Sequence, residues 1–83
     1  MPISGITVLT APNSLEAVRD QLEREFKAEI PAIKDNYLTV VLETATSHEM
    51  KQKFEAIQRL SGVMSAWVAY HNVEDIPKLK GEQ

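Results

Sequence analysis

Apolar and polar positions divide the chain into six blocks. Four blocks are rich in β-branched and other apolar residues, which is typical of strands, and the other two carry apolar residues at helical spacing. The predicted strands cover residues 3–11, 28–33, 37–44 and 63–71. The apolar stripes of the two predicted helices are Leu15, Val18, Leu22 and Phe26, and then Met50, Phe54, Ile57 and Leu60. The predicted order is therefore strand, helix, strand, strand, helix, strand.

Capping signals stand where both helices should begin. Asn13 is followed three residues later by Glu16, which is the spacing of a capping box. Thr46 and Glu49 repeat this spacing before the second helix. Gly62 follows the second apolar stripe, where a left-handed residue is expected to end the helix. These signals thus predict where both helices begin and where the second helix ends.

This order predicts an α+β fold of the ferredoxin-like (βαββαβ) type. Two right-handed crossover units interleave into one four-stranded antiparallel sheet, with both helices on one face. The first and third strands should be central because they are the most apolar. Pro31 has no backbone N–H to donate, which favours an edge position for the second strand. We predict a single domain over residues 1–72 and a flexible polar tail over residues 73–83.

The helix-free face of this sheet is the predicted binding surface. In the third strand Leu38, Val40 and Leu42 are expected to point toward the helices. The inward set of the last strand is Met64, Ala66, Val68 and Tyr70, and that of the first is Thr7 and Leu9. The apolar residues left facing outward are Ile6, Val8, Val41, Trp67 and Ala69, with a polar rim of Thr10, Thr39, Glu43 and His71. Such a patch is typical of a protein or peptide site.

Two other interpretations of these residues stay open. A register error of one residue would reverse every assignment on a strand and place Trp67 in the core. A dimer formed through the helix-free face would also bury the patch. The pattern of apolar residues does not choose among these three arrangements.

Composition and charge exclude several classes of function. The chain of 83 residues has no cysteine, so disulfides, thiolate zinc sites and iron–sulfur clusters are excluded. Its net charge is −3, and its first strand has no aromatic residue on which a base could stack. Nucleic acid is therefore not an expected partner. Residues 1–5 lack the basic start of a signal peptide, and no apolar run could span a membrane, so we expect a cytoplasmic protein.

Candidate catalytic chemistry is sparse. No pair formed by His48 or His71 with an acidic residue has a convincing metal-ligand spacing, and the three glycines are scattered, so no phosphate loop is predicted. The loop after the first strand, residues 11–13, has no basic group of the kind that an acylphosphatase-like enzyme needs. We therefore expect neither catalysis nor a metal or other cofactor.

The strands resemble those of one known family. Gly62-Val63-Met64, Trp67-Val68-Ala69 and Tyr70-His71 resemble the final strand of the NapD family, the maturation chaperones of periplasmic nitrate reductase. The segments 3–9 and 38–43 are similar to that family's first and third strands, so the resemblance spans residues 3–72. It implies a cytoplasmic chaperone that binds the twin-arginine signal peptide of the catalytic subunit. Export would be delayed until the molybdenum cofactor is inserted and the enzyme has folded.

The implied ligand suggests roles for particular residues. The apolar stretch of a signal peptide would lie as an amphipathic helix on the helix-free face, with Trp67, Val8 and Val41 as anchors. Its arginines would meet rim carboxylates, of which Glu43 is preferred over Glu29, Glu74 and Asp75. The expected oligomeric state is a monomer or a weak dimer. The alternative function is a regulatory module that binds an amino-acid-type small molecule and dimerises through its sheet.

Overall fold

The computed structural model describes residues 2–72, with residues 71 and 72 described through their backbone only. The elements are β1 (Ile3–Thr10), α1 (Leu15–Glu25), β2 (Glu29–Lys34), β3 (Tyr37–Glu43), α2 (Ser47–Gln58) and β4 (Val63–Asn72). This order is the predicted one. The expected flexible tail over residues 73–83 lies outside the described residues.

The four strands form one antiparallel sheet in the order β2-β3-β1-β4, which is the ferredoxin-like arrangement. As predicted, β1 and β3 are central and β2 lies at an edge. The register between β2 and β3 breaks between Glu29 and Ala32, the stretch that contains Pro31. The missing donor of Pro31 thus falls where the ladder is already irregular.

The core lies between one face of the sheet and the two helices. Val18 and Leu22 of α1 and Met50 and Ile57 of α2 are buried, which agrees with the predicted apolar stripes. On the sheet side the buried set is Ile6, Val8, Leu38, Val40, Leu42 and Ala66. No helix in the described part of the chain is long and apolar enough to cross a membrane.

The structure reverses the predicted faces of β1. Ile6 is opposite Val40, Val8 is opposite Leu38, and directly opposed residues of an antiparallel pair share a face. Ile6 and Val8 are therefore core residues, 1% and 0% exposed, and Thr10 is buried on the same side. Their predicted place on the helix-free face was wrong. A central strand with apolar residues on both faces does not reveal from its own sequence which set is inward.

The two capping predictions had different outcomes. The Thr46 hydroxyl accepts a hydrogen bond from the Glu49 N–H at 3.0 Å, as predicted for α2. The first helix instead begins after Ser14, which makes no side-chain cap bond, so the predicted Asn13 cap was wrong. Glu16 accepts a bond from Arg19 at 2.6 Å.

Gly62 has the predicted positive φ, at 93°, but it does not cap the helix. The cap of α2 is Arg59, and Gly62 lies in the turn before β4. A Cβ on Gly62 would lie 2.6 Å from the Cβ of Ser14. The turn before β4 thus packs closely against the start of α1, and both its backbone and its lack of a side chain favour glycine.

Candidate functional site

The helix-free side of the sheet carries a set of partly exposed side chains, most of them apolar or aromatic. We call this set the open face. It follows from the pairing of β1 with β3 and β4, in which Thr7 is opposite both Thr39 and Trp67. The side chains of β1, β3 and β4 on the open face are Ile3, Thr7, Leu9, Tyr37, Thr39, Val41, Glu43, Ser65, Trp67 and Tyr70. None of these residues is fully buried.

Two aromatic rings meet above β1 on the open face. Tyr37 begins β3 and Trp67 lies in β4, so β1 separates them in the sheet. Their ring centroids are 6.3 Å apart and their planes are at 75°, which is an edge-to-face contact. Each side chain is 44% exposed. The pair therefore forms a fixed aromatic platform that is still accessible to a ligand.

A bulge in β4 brings a third aromatic residue onto this face. Val68 is opposite Ile6 and Tyr70 is opposite Gly5, so Ala69 is an extra residue that the ladder skips. The extra residue shifts the alternation of the strand by one position. Tyr70, predicted to point into the core, consequently shares a face with Trp67. A Cβ on Gly5 would overlap the ring of Tyr70, so the absence of a side chain at Gly5 makes room for the ring.

A small cleft lies at the corner of the sheet where β1 and β2 begin and β3 ends. Its volume is about 220 Å³, and its lining residues are Ile3, Lys27, Glu29, Val41 and Glu43. Glu29 is opposite Val41 in the pairing of β2 with β3. Within the described residues no ion pair joins the three charged side chains of the cleft. The cleft thus combines the aliphatic side chains of Ile3 and Val41 with two carboxylates and the ammonium group of Lys27.

The predicted site residues fall into three groups. Thr39, Val41, Glu43 and Trp67 lie on the open face, where they were expected. Ile6, Val8 and Thr10 lie on the opposite face, inside the core. Of the remaining two, Ala69 is the bulge residue, and the backbone of His71 is paired with Ser4 of the buried β1 set. The side chain of His71 lies outside the described part of the structure, so its predicted rim position stays a prediction.

The structure adds residues that the sequence pattern did not indicate. These are Ile3, Thr7, Leu9, Tyr37 and Tyr70 on the open face and Lys27 in the cleft. One signal was available in advance, because a glycine inside a strand often marks a close approach or a bulge. Gly5 is such a glycine. No group of three or more potential metal-ligating side chains is arranged for a metal ion within residues 2–72.

No curated protein matches the chain. Among solved structures, the "Solution structure of the E. coli Tat proofreading chaperone protein NapD" matches with a TM-score of 0.75 and 19% sequence identity. That match covers 98% of this chain and 87% of the other, and at this identity it establishes a shared fold. The family model described as NapD protein matches residues 1–75. The chain therefore belongs to the NapD family.

Proposed function

We propose that this protein is a cytoplasmic chaperone for a periplasmic nitrate reductase. It binds the twin-arginine signal peptide of the catalytic subunit and delays export until cofactor insertion and folding are complete. Membership of the NapD family supports this proposal. So does the likeness to a protein described as a Tat proofreading chaperone, which shares the fold.

The observation that carries the proposal is that the accessible Tyr37–Trp67 pair shares the open face with Val41 and Glu43, which line the cleft at the other end of β3. A signal peptide has an apolar stretch and a pair of arginines, and the open face offers a complement to each. The apolar stretch lies as an amphipathic helix across the sheet, because flat aromatic and aliphatic surfaces bind the apolar face of a helix. Tyr37, Trp67 and Val41 are the proposed anchors, and a few such anchors carry most of the affinity in typical interfaces.

The cleft binds an arginine of the peptide. A guanidinium group lies between Glu29 and Glu43, while its methylene stem contacts Ile3 and Val41. Hydrogen bonds between a guanidinium and a carboxylate are stronger than bonds between neutral groups and depend on the planar fork of the arginine. Lysine lacks this fork, so the cleft distinguishes the two residues. The other two acids considered, Glu74 and Asp75, lie outside the described residues.

An NMR titration of isotope-labelled protein with a twin-arginine signal peptide tests the proposal. We expect saturable shifts at Thr39, Val41 and the indole of Trp67, and a weaker response to a twin-lysine peptide. A scrambled peptide and the backbone signals of the outer helix surfaces are the controls. If near-millimolar peptide leaves the open face unchanged, the proposal is wrong. A ligand-dependent rise in melting temperature with an amino-acid-type molecule would then favour the regulatory-module alternative.

A further inference from the structure

Two departures from a regular sheet place the ring of Tyr70 over β1. The bulge at Ala69 brings the side chain to the open face, and the absence of a side chain at Gly5 makes room for the ring. Glycine weakens the interior of a strand, and bulges are frequent next to functional sites, where they redirect a side chain. Tyr70 nevertheless stays outside the core cluster and is 47% exposed. The arrangement therefore indicates a role for this ring at the surface.

The ring of Tyr70 belongs to a cross-strand row that reaches the cleft. In this row Glu29 is opposite Val41, and Val41 is opposite Gly5. Gly5 in turn is opposite Tyr70, so two strand spacings, about 10 Å in total, separate the backbone of Tyr70 from that of Val41. The atoms nearest to the position that a Cβ of Gly5 would occupy include Cε2 and Cζ of Tyr70, at the hydroxyl end of the ring. The ring therefore extends across β1 toward the Val41 side of the cleft.

Tyr70 is the aromatic residue of the open face that lies nearest to the cleft. Gly5, which the ring covers, is two residues from Ile3, and Ile3 lines the cleft. The other two aromatic residues of the open face are opposite residues two and four positions farther along β1. Their rings also contact each other, which covers part of their surface. A ligand group beside the cleft would therefore meet the ring of Tyr70 first.

The charges of the cleft fit a single guanidinium group. The carboxylates of Glu29 and Glu43 outnumber the ammonium group of Lys27 by one. One guanidinium balances this excess, whereas a second would be repelled by the ammonium group at short range. Helix geometry acts in the same direction, because consecutive side chains on a helix point about 100° apart and do not share a face. The second arginine of an adjacent pair therefore needs a partner outside the cleft.

We propose that Tyr70 binds this second arginine by stacking of the guanidinium on the aromatic ring, while the cleft holds the neighbouring arginine. The assignment rests on the proposed function, since it takes a twin-arginine signal peptide as the ligand. A guanidinium is planar, stacks on aromatic rings and is more weakly hydrated than an ammonium group. Two long side chains that diverge from one helix can span the distance between Val41 and Tyr70. Tyr70 is thus the residue by which the protein distinguishes paired arginines from a single one.

Calorimetric titration of the full chain with three peptides tests this assignment. One peptide carries both arginines of the signal peptide, and in each of the other two alanine replaces one arginine. Tyr70→Leu should bind the twin-arginine peptide about three- to fivefold more weakly than the wild type does. In this variant the loss of one particular arginine should have no further effect on Kd, because that arginine has already lost its partner. Glu43→Gln should instead be less sensitive to the loss of the other arginine.

Two further variants are controls for the loss of the ring. Tyr70→Phe keeps the aromatic ring and should show the wild-type response to each peptide. Tyr37→Leu makes the same change as Tyr70→Leu on the same face, at a side chain that is 44% exposed compared with 47% for Tyr70. It should weaken the binding of all three peptides by the same factor, because Tyr37 contacts the apolar stretch of the peptide.

The failure of this assignment is distinguishable from the failure of the proposed function. If Tyr70→Leu weakens the binding of all three peptides by the same factor, the stacking is wrong while the proposed function stands. If the wild type binds none of the peptides, both are wrong. If Tyr70→Leu fails to fold, NMR of the saturated wild-type complex decides. NOEs should join the ring protons of Tyr70 to the δ-methylene group of one arginine only, and their absence would refute the stacking.

Discussion

The ring of Tyr70 occupies the space above Gly5 that a side chain would fill. The two residues are paired across β1 and β4, immediately beside the bulge at Ala69. We expect Gly5→Ala to destabilise the fold by about 1–3 kcal/mol, because the added methyl group must displace the ring. Thermal unfolding measures this cost. In the Tyr70→Ala variant this space is empty. Adding Gly5→Ala to that variant should therefore lower the free energy of unfolding much less than it does in the wild type. An equal cost in both backgrounds would show that the ring is not the obstacle.

Trp67→Ala should remove most of the affinity for a twin-arginine signal peptide while the protein stays folded. The side chain contacts Tyr37 on the open face and takes no part in the core cluster. We expect at least a tenfold rise in Kd, measured by calorimetry, and a loss of stability of about 0.5–1.5 kcal/mol from the aromatic contact. Val68→Ala is the control, since Val68 is equally exposed but lies on the opposite face. If Trp67→Ala unfolds, the placement of Trp67 is wrong.

Alanine substitutions at Val8 and Val41 test which face of the sheet binds the peptide. Val8 is 0% exposed in the core, so Val8→Ala should lower the free energy of unfolding by about 2 kcal/mol. The fraction of Val8→Ala molecules that stays folded should bind the peptide with unchanged affinity. Val41→Ala should do the reverse, with little loss of stability and weaker binding. Urea unfolding and peptide titration of both variants give the two quantities. A loss of affinity in folded Val8→Ala would contradict the face assignment.

Glu43→Gln and Glu29→Gln should each reduce the preference of the protein for arginine over lysine in the peptide. Each change removes one carboxylate from the cleft but keeps the shape of the side chain. We expect an affinity loss of several-fold for each variant and a flatter dependence of Kd on salt. Glu23→Gln makes the same charge change on the exposed surface of α1 and should leave the preference intact. Equal losses in all three variants would indicate a general charge effect and no arginine site.

Thr46→Ala should destabilise the protein by about 1 kcal/mol, because the N–H of Glu49 loses its acceptor. Asn13→Ala should have a smaller effect, since α1 begins after Ser14. Thermal unfolding of the two variants compares the caps directly. A larger loss in Asn13→Ala would contradict the observed start of α1.

The order of helices and strands was predictable because each element depends on the local pattern of apolar residues and on the residues that cap the helices. Helical spacing identified the buried residues of both helices, and Pro31 identified the edge strand. The faces of β3 were also predictable, since Leu38, Val40 and Leu42 occupy one alternating set and the other set contains the polar residues Thr39 and Glu43. In β1 both alternating sets contain apolar residues, so only its cross-strand partners reveal the inward set.

The site was less predictable because two features depend on tertiary structure. The bulge at Ala69 moves Tyr70 to the open face, and no residue of β4 indicates that a bulge forms there. The cleft combines residues from β1, β3, β2 and the loop before β2, which are distant in sequence. Lys27 reaches this cleft from a backbone with φ of 58°, a conformation that sequence pattern does not indicate for lysine.

The side chains of β3 alternate between the two faces of the sheet, so neighbouring residues have two different roles. Leu38, Val40 and Leu42 maintain the fold, whereas Thr39 and Val41, between them, face outward. A substitution in the outward set therefore has little thermodynamic effect on folding. Ligand preference can diverge among descendants of one ancestor while the same core persists.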